Sequence, residues 1–236
     1  MPGHIQHAFD RDLEEIRTEV RQMGARVSTA IHDALHALEA RDLELANAVR
    51  SRDAEVDRIE DRINAETARL IALRQPTASD LRMVLSVVKV AASLERIGDY
   101  AKNIAKRTTA LVQVDPVGNT AGTLRRMARV VEVMLGEGLD AYLTRNTALA
   151  EKVRADDAEV DQIYSSLFRT LLTHMMEDPR SISASMHLHF IAKNIERMGD
   201  HVTAIAEEAL YLANGVRPDD ERAKQDTTAA VIAPGE

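Results

Sequence analysis

Four pairs of carboxylates carry the chemistry open to this chain: Asp53 with Asp57, Glu95 with Asp99, Asp157 with Asp161, and Glu196 with Asp200. The members of each pair stand four residues apart, so on a helix they share a face and repel each other. A cation has to offset that repulsion, either a basic side chain or a metal ion. Hard oxygen donors from two neighbouring helices, aimed at one spot, suit Mg²⁺, Mn²⁺, Fe or Ca²⁺ better than a soft-ligand metal. Arg58, Arg96, Lys102 and Lys106 lie close enough along the chain to serve as ion-pair partners. That reading stands beside the metal one.

The elements that must position these acids repeat. Glu95-Arg96-Ile97-Gly98-Asp99 returns as Glu196-Arg197-Met198-Gly199-Asp200, 101 residues later. Asp53-Ala54-Glu55-Val56-Asp57 returns as Asp157-Ala158-Glu159-Val160-Asp161, 104 residues later. Apolar residues spaced by three and four predict six long helices. They span about Ile5 to Leu38, Asp42 to before Gln75-Pro76, Thr77 to Val112, Thr120 to Leu143, Thr147 to Met176, and Ser181 to Ala213. Proline at 76 and 179 and the Asn214-Gly215 stop set the ends, because a residue before proline leaves helical geometry and glycine ends helices. No strand pattern is found. The expected fold is all-α, a tandem repeat of two antiparallel three-helix bundles, residues 1–115 and 116–214, joined end to end or side by side. Residues 215–236 lack periodicity and are expected to form a mobile tail.

On the third helix the acids continue an apolar line through Leu81, Val84, Val88 and Ala91, and on the sixth Glu196 and Asp200 continue Ile182 and Ala192. On the second, Asp53 and Asp57 flank the buried stripe, with Glu60 and Asn64 next along the same line. Gly98 and Gly199 each cost a helix about 1 kcal/mol against alanine. Close helix packing is the simpler compensation, and room for a ligand beside the carboxylates is the other. His189 lies near the second acidic stripe and His201 follows Asp200, so either could supplement that site or simply be packed. A di-iron oxidase needs Glu-x-x-His steps. None occurs, and Asp33-Ala34-Leu35-His36 is the only acid-x-x-His.

Composition narrows the function classes. A net charge of -8 excludes a general nucleic-acid binder. Zero cysteines exclude disulfides, thiolate metal sites and thiol catalysis. Residues Met1 to Asp10 lack the order of a secretory signal, and no stretch approaches a membrane span, so the expected compartment is the cytoplasm. Phosphate-loop, Gly-x-Ser-x-Gly and His-Glu-x-x-His motifs are missing, and nothing reads as an enzyme.

Gln75-Pro76, Asp80-Leu81-Arg82, Glu95 to Asp99 with Asn103-Ile104-Ala105, the second Glu-Arg-Met-Gly-Asp run, and His174 to Arg180 resemble the PhoU family. The likeness extends from about Phe9 to Leu212. It implies two three-helix bundles related by a pseudo-twofold, in a protein that is often a homodimer. It implies direct metal ligation by Asp53, Asp57, Glu95, Asp99, Asp157, Asp161, Glu196 and Asp200, with Fe, Mn, Mg or Zn as the ion. It also implies restraint of the phosphate-starvation response through two partners, a phosphate ABC-transporter ATPase and a membrane sensor histidine kinase. Such a protein would meet the membrane only through those partners. One departure stands out: Glu60 and Asn64 correspond to Tyr164 and Phe168. The second site is therefore expected to differ from the first. Two other readings remain, a metal-carboxylate enzyme or metal store, and a structural adaptor whose acids only form ion pairs.

Overall fold

A computed structural model describes residues 2–218 of the chain. It contains α1 (Pro2–Ala40), α2 (Leu43–Arg74), α3 (Ala78–Leu111), α4 (Thr120–Thr144), α5 (Thr147–Glu177) and α6 (Ile182–Asn214). A short 3-10 turn, Pro179–Ser181, precedes α6. Among the described residues there is no strand. The expected tail falls mostly on residues 219–236, outside the described residues.

Local chemistry accounts for the helix ends. Asp42 caps α2 by accepting from the Leu45 N–H at 2.9 Å, and Asn146 caps α5 by accepting from Leu149 at 3.1 Å. These caps satisfy amides that have no partner within the helix. Arg41 and Arg145, just before them, both take a left-handed conformation with φ of 56°. The same tight turn thus opens the second helix of each half. Gln75 ends α2 with its N–H on Ile71 O, ahead of Pro76. Gly215 closes α6 at φ 78°. Asp178 accepts from the Arg180 N–H and starts the 3-10 turn at Pro179.

The apolar stripes close the core. Ile16, Val20, Met23, Val27, Ile31, Leu35 and Leu38 of α1 are all buried, as are Val49, Val56, Ile59, Ile63 and Leu70 of α2. α1, α2 and α3 pack mutually, and so do α4, α5 and α6. The halves lie side by side, since α3 packs along α6 and α1 along α4. A continuous core results, with α2 and α5 on opposite flanks. Polar groups cross this junction as well: Ser86 and Tyr142 hydroxyls share a hydrogen bond of 2.8 Å. Glu208, itself buried, receives Lys89 at 3.4 Å and Arg217.

Candidate metal-binding carboxylate grooves

The first groove runs between α2 and α3. Asp53 of α2 is buried, Asp57 is exposed, and Glu95 and Asp99 of α3 are half-buried. Lys102 joins the two helices, its Nζ 2.5 Å from Asp53 Oδ2 and 3.5 Å from Asp99 Oδ1. Arg96 borders the same acids, 3.5 Å from Glu95 and 3.9 Å from Asp99. Arg58 instead donates to Ala54 O on its own helix.

These bases do not neutralise the groove. Burial, then the Asp99 charge, then Glu60 and a hydrogen bond with Asp99 push the Glu95 carboxyl up to about 7, against a smaller opposing pull from Arg96. Burial and the neighbouring Asp53 and Asp99 raise Asp57, and burial with Asp61 and Asp57 raises Glu60. Lys102 is pushed up, chiefly by its hydrogen bond to Asp53. Burial is the largest cause at each of these carboxyls and the neighbouring acids add to it, so negative charge is crowded between α2 and α3.

The second groove, between α5 and α6, is more enclosed. Asp157, Asp161 and Glu196 are all buried, and Asp200 is half-buried. Lys193 Nζ lies 2.9 Å from Glu196 Oε2 and 5.0 Å from the centre of the Tyr164 ring. Tyr164 holds the place of Glu60, so one acid of the first groove is exchanged for an aromatic face. His189 packs against Tyr164 and Phe168, with ring centres 6.0 and 5.2 Å away. His201 lies 5.8 Å from the Tyr100 ring. Tyr100 and His201 follow Asp99 and Asp200, so the two grooves flank the seam where α3 meets α6. Burial, helped by the Arg96 charge and opposed by Asp200, holds the His201 pKa below its ordinary value.

The repeated glycines face the first acid of each α2 or α5 pair. A Cβ on Gly199 would come within 2.8 Å of Asp157 Oδ1, whereas one on Gly98 would meet Val56 at 3.5 Å and Asp53 Oδ1 at 3.8 Å. The glycines do serve packing, against the carboxylate at Gly199 and against Val56 first at Gly98. Asp53 and Gly98 also line a cavity of about 430 Å³ between α1 and α2, with Ala25, Thr29 and Val49 in its wall. Ion pairs from Arg26 to Glu55 and Arg52 to Asp33 link α1 and α2 beside it.

Among the described residues no three acidic or histidine side chains already stand close enough around one point to hold a metal ion. In the first groove the oxygens gather around an ammonium instead. The donor set nonetheless fits a hard cation, because it is all carboxylate oxygen and Lys102 already seats a positive charge between helices. Lys193 and the buried Glu208 escaped the sequence reading. Glu208 shares a face with Ala204 and Ile205, four and three residues away, which is the signal that could have exposed it.

The family model described as PhoU domain matches residues 20–108 and 124–209, one copy in each half. The chain belongs to the PhoU family. A relative from Rhizobium meliloti, a phosphate-specific transport system accessory protein PhoU homolog, is 44% identical over 97% of both chains. Its namesake from Caulobacter vibrioides is 41% identical over 96% of this chain and 98% of its own. The crystal structure of PhoU from Pseudomonas aeruginosa superposes with a TM-score of 0.85 at 38% identity, covering 88% of this chain and all of that one. The PhoU structure from Streptococcus pneumoniae gives 0.82 at 29% identity, over 90% and 100%. Family members are accessory proteins and not enzymes, and that class now holds for this chain too. Among the described residues no helix is long and apolar enough to cross a membrane.

Proposed function

We propose that this protein is a cytoplasmic, non-enzymatic regulator of phosphate uptake and of the phosphate-starvation response. It is a homodimeric helical adaptor that contacts a phosphate ABC-transporter ATPase and a sensor histidine kinase and restrains signalling when phosphate is plentiful. The observation that carries this reading is likeness along nearly the whole chain to accessory proteins of phosphate-specific transport. The test is co-purification of the full chain with both partners from cells grown at high and at low phosphate. Association that strengthens at high phosphate is expected. No association at either level overturns the adaptor role.

The same reading makes the two grooves metal sites. Asp53, Asp57, Glu95 and Asp99 would hold an ion in the first, and Asp157, Asp161, Glu196 and Asp200 in the second. A bound cation supplies positive charge that ties α2 to α3 and α5 to α6. Burial of Glu95 beside the Asp99 and Glu60 carboxyls, which raises its pKa, supports this. The lysine contacts favour a competing reading, in which the acids only form ion pairs. Elemental analysis of protein purified without chelators, beside an Asp99→Ala, Asp200→Ala variant, separates the two. Metal retained by the parent and lost from the variant is expected. Equal metal content in both proteins refutes the assignment.

A further inference from the structure

The seam between α3 and α6 repeats about an axis of its own. Lys89 of α3 holds Glu208 of α6 at 3.4 Å. At the repeat spacing of 101 residues these two correspond to Phe190 and Arg107. Those also meet, the Arg107 guanidinium 4.3 Å from the centre of the Phe190 ring. Each contact therefore turns into the other when the halves are exchanged. Tyr100 and His201 correspond to each other and touch, ring centres 5.8 Å apart, so an approximate twofold axis passes between them.

The outer surface of the seam carries the same two features on either side of that axis. Arg96 and Arg197 stand one helical turn before Tyr100 and His201, about 6 Å along each helix. Arg96 is 61% exposed and reaches its own acids only at 3.5 and 3.9 Å. Arg197 is exposed and has no ion pair among the described residues. Three turns earlier, on the same line of each helix, stand Leu85 and Met186, 48% and 38% exposed. The seam thus offers a guanidinium and an apolar knob twice, in antiparallel order. Lys89 and Phe190, where the halves differ, are engaged by Glu208 and Arg107.

We propose that this face docks a protein dimer with twofold symmetry, its axis set over Tyr100 and His201. Each subunit of the partner gives one carboxylate to Arg96 or Arg197 and one apolar socket to Leu85 or Met186. Charge complementarity fixes the polar half of that description, because an exposed guanidinium fork takes a carboxylate through two parallel hydrogen bonds. Symmetry fixes the rest. A partner without an axis would leave one copy of each feature uncovered, whereas a closed pair of identical subunits meets both at once. One chain then serves two partner subunits. The inference deepens the adaptor role proposed above and rests on it.

The experiment mixes the full chain with the transporter ATPase, the partner named in that reading. Subunits in the complex are counted by native mass spectrometry, and affinity is read by calorimetry. One chain per two ATPase subunits is expected. Arg96→Glu and Arg197→Glu should each weaken binding about tenfold to a hundredfold, the range for losing a charge-assisted contact, and by amounts within about threefold of each other. The double variant should bind more weakly than either. Leu85→Ser combined with Met186→Ser should weaken binding about tenfold, and it covers the case in which reversing Arg96 beside Glu95 and Asp99 disturbs the fold. A ratio of one chain per ATPase subunit, a loss confined to one arginine, or binding that none of the variants moves overturns the inference and leaves the adaptor role standing. So does a parent chain that is dimeric alone and becomes monomeric in the double arginine variant, since the face would then belong to a second copy. If the ATPase does not bind the parent chain, the ATPase half of the adaptor role falls together with the inference.

Discussion

At the residue scale the governing fact is burial of carboxyls beside one another, and it has a measurable pH signature. Glu95 is raised from 4.5 to about 7, so between those values the folded chain binds a proton that the unfolded chain does not. Stability of the metal-free protein then falls as pH rises from about 4.5 to 7 and stays low above that, with a cost on the order of 3 kcal/mol. Asp57 and Glu60 shift the same way and add to the slope. Urea midpoints taken from pH 5 to pH 8 should decline, and Glu95→Gln should flatten the decline and stabilise the protein at pH 8. A rising curve would mean that the acids are stabilised by their bases. The two glycines give a second check. Alanine at Gly98 meets ordinary contacts and should be neutral or stabilising by up to about 1 kcal/mol, whereas alanine at Gly199 strikes Asp157 Oδ1 and should cost about 1–3 kcal/mol. Equal effects in denaturant would contradict the inequivalence of the grooves. All eight acids could be read from spacing, because four residues is the helical repeat. That Lys102 crosses to Asp53 could not, since it depends on the register of α2 against α3, which periodicity on one helix does not encode.

At the element scale the helix ends were the most legible feature. Pro76, Pro179, Asp42 and Gly215 act through backbone chemistry that is local, so the chain alone announces them. The 3-10 turn at Pro179 was not announced, because an i to i+3 turn leaves too few residues for a period to show. Left-handed Arg41 and Arg145 were equally hidden, since arginine carries no such preference. The paired caps predict equal roles in the two halves. Asp42→Ala and Asn146→Ala should each cost about 1 kcal/mol, the usual penalty for losing a side-chain N-cap. Thermal melts of the single variants should fall together, and the double variant should lose the sum, because the caps belong to different bundles. A loss confined to one variant would show that the second halves of the repeat are not held alike.

At the scale of the whole molecule, the chain left open whether the bundles meet end to end or side by side. Each helix shows its apolar stripe, but which helix covers that stripe is a property of the assembled fold. The packing of α3 on α6 and α1 on α4 makes the two halves share one core, and it buries polar groups that pair across the junction. Tyr142 of α4 reaches Ser86 of α3, and burial pushes its hydroxyl pKa up to about 12. Glu208 of α6 draws Lys89 from α3. A half separated from its partner would expose those groups and the apolar seam together, so the halves should unfold as one cooperative unit. Calorimetry should then show a single transition near 150 kcal/mol, at about 0.7 kcal/mol per residue, with calorimetric and van't Hoff enthalpies equal. Tyr142→Phe should lower that one transition by about 1 kcal/mol without splitting it. Two separable transitions of about half the enthalpy each would show that the bundles are independent domains, and the two carboxylate grooves would then be free to act without reference to each other.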